Sequence, residues 1–253
     1  MMARWNDVLA RWAILAIVSL LSTGALAQEK ALKGVALVIG QSNYATLAPL
    51  PNPANDARSI AALLGDLGFN VDTLMDADAA GLSGAVAKFE EDAAGADVAL
   101  VYYSGHGVEA GGENFLVPVD ASLSEPKGFA SATRLLERLQ KTVPVAIILL
   151  DACRDNPFPP GATLADDNGK PQPIAAAGLG ATRGVTRFTS DPGKPDSVGA
   201  IIGFAAEPGK VALDGEPGGE SPYAAALLKH LAAGGFHFAD IMTMVTEEVY
   251  LRS

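Results

Sequence analysis

Val145-Ala-Ile-Ile-Leu-Leu150 is followed at once by Asp151-Ala-Cys-Arg-Asp155, and this change from apolar to polar constrains the chain more than any other feature. Ala146 to Leu150 run without a polar interruption and then break, which is how a strand covered on both faces reads where it emerges at the edge of a sheet. Three further stretches read alike: Lys33-Gly-Val-Ala-Leu-Val-Ile-Gly40, Ala96-Asp-Val-Ala-Leu-Val-Tyr-Tyr103 and Gly199-Ala-Ile-Ile-Gly-Phe-Ala-Ala206. Between them lie helical patterns. Ala57, Ile60, Ala61 and Leu64 form an apolar stripe, 82–93 reads as an amphipathic crossover helix, and a further helix is expected over 131–142. Strands that alternate with helices predict an α/β domain with a mostly parallel sheet flanked by helices. Open sheets of this kind bind ligands beyond the carboxyl ends of their strands, where Cys153 stands.

The first 27 residues fall outside this pattern. Arg4 and Arg11 precede an apolar run from Trp12 to Leu21, and Ala25 and Ala27 fit a signal-peptidase site before Gln28. This predicts export to the periplasm or beyond. The alternative is an uncleaved membrane anchor, since Trp12 to Gln28 is an uncharged stretch near the lower length limit for a span. The net charge is −11, and removal of two arginines and one aspartate with the presequence makes it −12. So acidic a surface argues against nucleic acid or anionic lipid as a partner and is compatible with basic substrates. Cys153 is the single cysteine, so the chain forms no internal disulfide, lacks a cysteine cluster for zinc, and has no resolving thiol for redox sensing.

The remaining segments place the candidate residues. Gln41 to Asn55 holds three prolines and three asparagines and reads as a loop leaving the first strand, with Asn55 or a neighbour capping the next helix. Asp56 then lies in that helix's first turn, where a carboxylate is favoured by the helix dipole alone. Phe69 to Leu74 alternates like a strand, and Asn114 to Asp120 reads as an edge strand because of Pro118. Ser104-Gly-His-Gly107 follows its strand immediately and reads as a sharp turn presenting His106. The composition of 156–198 is that of a long, mobile surface loop, rich in Pro, Gly and Asp. Glu207 to Ser221 reads as a second loop at a strand end, followed by helices over 222–233 and 239–250. His230 and His237 in that tail have no chemical context and take a structural reading.

His106 and Cys153 each end a buried strand, 47 residues apart. If the two strands are parallel neighbours, a spacing of about 4.8 Å brings imidazole and thiol within reach. The imidazole can then take the thiol proton, and the backbone N–H groups of Gly107 and Cys153 can hold the resulting oxyanion. The chemistry this suggests is amide hydrolysis.

Tyr102-Tyr-Ser-Gly-His-Gly107 and Leu149-Leu-Asp-Ala-Cys-Arg-Asp-Asn-Pro157 together resemble the caspase-like cysteine peptidases of the C14 family, on their bacterial and metacaspase side. Asn55-Asp56 and Lys210-Val-Ala-Leu-Asp-Gly215 extend the resemblance over roughly 33–250. It implies a caspase-like three-layer sandwich, with a large-subunit-like part over 33–155, a linker over 156–198 and a small-subunit-like part over 199–250. It implies a catalytic dyad of His106 and Cys153, an oxyanion hole at Gly107 and Cys153, and an S1 pocket lined by Asp56, Ser104 and Asp151. Two carboxylates there favour Arg or Lys at P1 of a peptide or protein substrate. Self-cleavage in the linker, at Lys170, Arg183, Arg187 or Lys194, is a further implication. The family's calcium site is not expected: Asp120 falls near its place, but 121–136 contain only Glu125 as an acidic residue. No cofactor is read. The alternative function is a catalytically inactive caspase-fold domain that binds a peptide or partner.

Overall fold

The computed structural model describes residues 32–153, 156–166, 168–176, 179, 185–188, 199–205 and 214–252. The expected presequence and its expected cleavage site lie outside these residues. Among the described residues no helix is long and apolar enough to cross a membrane.

The central sheet carries the architecture. Its strands are β1 (Gly34–Gly40), β2 (Asn70–Met75), β3 (Val98–Ala110), β6 (Val145–Cys153), β9 (Val185–Phe188) and β10 (Ala200–Phe204), in the order β2-β1-β3-β6-β10-β9. All neighbours are parallel except β9, which runs antiparallel on β10. Two short strands, β4 (Glu113–Leu116) and β5 (Ala130–Ser131), continue antiparallel from the far end of β3.

Helices cover both faces. α1 (Pro53–Asp66), α4 (Pro222–Ala233) and α5 (Phe238–Arg252) pack on one, and α2 (Ala79–Asp92) and α3 (Ala132–Leu139) on the other. The strict alternation of a strand explains why every central residue must be apolar. Along β6, Ala146, Ile148, Leu150 and Ala152 face α2 and α3, whereas Ile147 and Leu149 face α1, α4 and α5. Asp151 continues this second row. β3 obeys the same rule, so Tyr102, Ser104 and His106 share the face of Asp151. The result is a three-layer sandwich with a mostly parallel sheet, as expected.

Three local expectations are corrected. Ser104 to Gly107 is not a turn: β3 runs straight through it to Ala110, because β4 supplies a partner for Gly107 to Ala110. Asn55 is not the cap of α1, which begins at Pro53 after Asn52. Neither asparagine caps the helix by its side chain: Ser42 Oγ accepts the Ala54 N–H at 3.1 Å, and Asn52 is buried with its amide bonded elsewhere. The helix expected over 131–142 ends at Leu139, capped at its start by Ser131, whose Oγ accepts the Arg134 N–H at 3.1 Å.

The largest correction concerns 156–198. Its described residues include a hairpin of β7 (Thr163–Ala165) and β8 (Pro171–Pro173), as well as β9. Phe158, Leu164, Ile174 and Leu179 are buried, and the Ala175 N–H bonds the Glu109 carbonyl at 2.8 Å beside a bridge between Ile174 and Ala110. Four apolar residues spaced irregularly among Pro and Gly carry no periodic signal, which is why composition alone reads as a surface loop.

Candidate active site

β1 lies between β2 and β3, so the chain leaves β1 on one side and returns on the other. The crevice at such a switch point opens at the carboxyl ends of β1 and β3. His106 stands there. In the parallel ladder of β3 and β6 the Cα partner of His106 is Cys153, that of Ser104 is Asp151, and that of Gly105 is Ala152. A sequence separation of 47 residues thus becomes direct opposition across one inter-strand spacing of about 4.8 Å.

The surroundings of His106 select one tautomer. Its Nε2 lies 2.8 Å from the carbonyl oxygen of Ala48, an acceptor only, so Nε2 carries the proton. The lone pair is then on Nδ1, which is buried and has no hydrogen-bond partner among the described residues. Burial pushes the imidazole pKa below its ordinary value, against the Ala48 bond and the charge of Asp214, which raise it. A neutral imidazole with a free Nδ1 can accept a proton from a group on the neighbouring strand end.

Gly107 also has a neighbour that composition did not announce. A Cβ at that position would lie 2.9 Å from the side chain of Leu179, which fills the space behind the strand. Strand alternation puts this contact on the face opposite His106. Leu179 therefore supports the back of Gly107 and leaves the crevice side of the strand uncovered.

Beside His106 lies a closed polar cluster. Asp56 is 1 % exposed, Asp151 5 %, Ser104 3 % and Ser221 2 %, so these groups satisfy one another in place of water. Asp56 Oδ1 accepts the Ser221 N–H at 2.9 Å, and its Oδ2 accepts the Ser104 hydroxyl at 3.3 Å. Asp151 Oδ2 accepts the hydroxyls of Tyr102 at 2.9 Å and of Ser221 at 2.5 Å. Ser221 is also the N-cap of α4, accepting the Ala224 N–H at 2.9 Å. One residue therefore ties both carboxyls to a helix start. Tyr223, two residues on, is buried with its hydroxyl unpartnered among the described residues.

Burial is the main cause that raises both carboxyl pKa values, to about 8 for Asp56 and about 6 for Asp151. The charge of Asp151 lifts Asp56 further, whereas the bonds from Ser221 and Tyr102 hold Asp151 lower. Near neutrality the pair therefore holds about one proton. Asp214, half-buried and likewise raised by burial, contributes a third carboxyl to the neighbourhood.

A dependence of stability on pH follows. Both folded values lie above the unfolded value of about 3.9, so the folded protein keeps protons that the unfolded chain has lost. The contribution of this pair to stability is full below about pH 4 and is lost as pH rises through the folded values toward 8. His106, depressed, works in the opposite sense only below its ordinary value of about 6.5. Between pH 6.5 and 8 the carboxyl effect is therefore left alone, and Tm is expected to drop by about 5 °C. Calorimetry on wild type and Asp56→Asn checks this: an equal drop in both would refute the shared proton.

Asp120 and Glu125 are placed apart from any such cluster. Asp120 Oδ1 accepts the Ala79 N–H at 2.9 Å at the start of α2, and Glu125 pairs with Lys127 at 3.1 Å on the surface. Among the described residues no group of three or more His, Cys, Asp and Glu is arranged to hold a metal ion. His230 bonds Glu248 at 2.7 Å between α4 and α5, a structural contact.

Ser104, Asp56 and Asp151 are thus brought together next to His106. The structure adds Tyr44, Ala48, Ser221 and Asp214 to the site, which the sequence reading did not single out. For Tyr44 and Ala48 the available signal was their loop, which leaves the carboxyl end of β1. For Ser221 it was the Ser-Pro start of a helix.

The three-layer sandwich with its mostly parallel sheet is the caspase class of fold. The chain belongs to the peptidase C14 family: the caspase-domain model of that family matches residues 33–253. Among solved structures it is similar to caspase-1 from Spodoptera frugiperda, with a TM-score of 0.60 and 18 % identity over 88 % of this chain and 80 % of that one. The Drosophila initiator caspase Dronc gives a TM-score of 0.55 and 13 % identity over 85 % and 72 %. The human mucosa-associated lymphoid tissue lymphoma translocation protein 1 is 35 % identical over 135 residues, and its mouse homolog 34 %. That match covers 51 % of this chain and 15 % of each relative, so the chain spans a small part of their length.

Proposed function

We propose that the chain is a cysteine endopeptidase that cuts after Arg or Lys by a dyad of His106 and Cys153. The observation that carries the proposal is the opposition of His106 and Cys153 in the β3–β6 ladder, with Nδ1 of the imidazole buried and unpartnered among the described residues. Nδ1 takes the thiol proton as sulfur attacks the P1 carbonyl carbon. The carbonyl oxygen becomes an oxyanion held by the backbone N–H groups of Gly107 and Cys153. Collapse expels the leaving amine, protonated by the imidazolium, and leaves a thioester. Water, losing its proton to Nδ1, then cleaves the thioester and restores the thiol.

The pocket of Asp56, Ser104 and Asp151 supports a cationic P1 side chain. A guanidinium entering it displaces the shared proton and replaces it with a bound charge, which makes binding release a proton. The mixed hydrogen-bond and charge demand of two carboxyls suits the five donors of Arg best.

We propose further that self-processing, where it occurs, falls after Arg183. Lys170 and Lys194 are each followed by proline, which restricts the conformation of the residue before it. Lys170 also sits in the hairpin turn, its N–H bonded to Asp166 Oδ1 at 2.9 Å, and Arg187 lies within β9, opposite Ile201. Arg183 is outside the described residues.

Fluorogenic peptides with Arg, Lys or Asp at P1, with and without a calcium chelator, test the proposal. Expected is hydrolysis after Arg and Lys, insensitive to the chelator, and a wild-type-only fragment beginning at Gly184. Hydrolysis only after Asp would overturn the pocket assignment, and hydrolysis of none would favour a binding domain.

A further inference from the structure

His106 is flanked by two glycines, and this makes its position a problem the strand does not solve by itself. Gly105 and Gly107 have no side chains to pack, and Gly105 adopts φ of 155°, a conformation other residues rarely take. A histidine in such a setting has no side chain on either chain neighbour to hold its main chain. Yet a displacement of about 1 Å in a reacting group can cost about 100-fold in rate.

Two phenols supply the missing constraint. The His106 N–H donates to the Tyr44 hydroxyl at 2.8 Å, and the Tyr103 hydroxyl donates to the His106 carbonyl at 2.6 Å. The hydroxyls lie 3.4 Å apart, and both would sit 2.7 Å from a Cβ on Gly105. The glycine before the histidine is therefore required by the oxygens that converge on it. The Tyr44 ring also packs on the imidazole, with centroids 4.5 Å apart and planes tilted by 55°.

Tyr44 stands on the same loop as Ala48, whose carbonyl fixes the Nε2 proton. That loop is itself anchored. Asp76, with φ of 47°, accepts the N–H groups of Ser42 at 2.7 Å and Asn43 at 2.9 Å, and Thr46 Oγ1 donates to the Ala121 carbonyl at 2.5 Å. The main-chain N–H, ring face and Nε2 of one histidine are thus all held by a loop from the end of β1.

We propose that Tyr44 is a positioning residue for His106, which with Tyr103 clamps the glycine-flanked main chain so that Nδ1 faces the end of β6. The inference rests on the reading of His106 and Cys153 as the reacting pair. Tyr44→Phe keeps the ring and removes the acceptor, which leaves the buried His106 N–H orphaned and lets the imidazole turn.

The first readout uses the single thiol of the chain, so that no substrate assumption enters it, and peptide kinetics are the second. The rate of Cys153 alkylation by iodoacetamide is followed from pH 5 to 9 in wild type, Tyr44→Phe, Tyr103→Phe and His106→Ala, each with its melting curve. Expected in wild type is a reactive limb below the range of a free thiol, whose pKa is about 8.5, and loss of that limb in His106→Ala. Tyr44→Phe is expected to reduce its amplitude about tenfold while the protein still melts cooperatively, with peptide kcat lowered about tenfold and KM unchanged. An unchanged alkylation profile and kcat in both tyrosine variants, with His106→Ala altered, would overturn the clamp alone. An unchanged profile in His106→Ala would overturn the dyad beneath it. Should Tyr44→Phe not fold, Tyr103→Phe, which loses the bond to the His106 carbonyl, decides by the same readout.

Discussion

Cys153→Ala is expected to lower kcat for an Arg-P1 peptide by at least about 10⁴-fold with KM little changed, because it removes the only thiol in the chain and with it the thiol-based covalent route. His106→Ala is expected to cost about 10²–10⁴-fold, the range for losing a positioned general base. The two losses should not add, since a thiolate with no proton acceptor and an acceptor with no thiol both stop at the same step. Initial rates on the two single variants and the double variant check this. A double variant slower by the product of the single effects would mean that the residues act independently, and a Cys153→Ala protein that retains activity would reject the thiol as nucleophile.

The second large effect is expected at Asp151. Asp151→Asn keeps the size and one acceptor oxygen for Tyr102 and Ser221, but it removes the charge that an entering guanidinium would meet. Truncating one partner of a desolvated charge pair costs about 2–5 kcal/mol. We therefore expect kcat/KM for Arg at P1 to fall by about 10²–10³-fold, mostly through KM. A peptide with citrulline at P1, of the same shape and no charge, should be almost unaffected, so that discrimination between the two collapses. Stability should move the other way. Burial already raises the Asp151 pKa, which marks its charge as costly to the free protein, and removing it relieves Asp56 as well. A lower Tm together with equal loss on both peptides would identify a structural defect in place of a charge effect.

How far this site was legible can be followed residue by residue. The β6 run and the polar break after Leu150 specified a buried strand ending in Asp151 and Cys153, because five apolar residues in succession leave no face for water. The glycines around His106 marked a special backbone, but the sequence reading took it for a turn. In the structure it is a strand, because β4 pairs with Gly107 to Ala110 and two phenols converge on Gly105. Asp56 looked like helix decoration from its first-turn position. The resemblance made it a pocket residue, and the structure places it 1 % exposed with Ser221 and Ser104 as its partners. The 156–198 segment was misjudged because its buried residues, Phe158, Leu164, Ile174 and Leu179, are too sparse to leave a period.

The sequence by itself determined the local alternations: which residues lie in central strands, which faces of the helices are apolar, and where each strand gives way to polar residues. Those depend on one side chain and its near neighbours, which periodicity records. Only the tertiary structure decided which strand ends meet. The pairing of His106 with Cys153, the bridging of Asp56 and Asp151 by Ser221, and the clamp of Tyr44 on His106 join residues 47 to 165 positions apart or from separate loops. Such contacts depend on strand order and register, which follow from how the whole set of apolar faces is buried at once and leave no mark in any local stretch of chain.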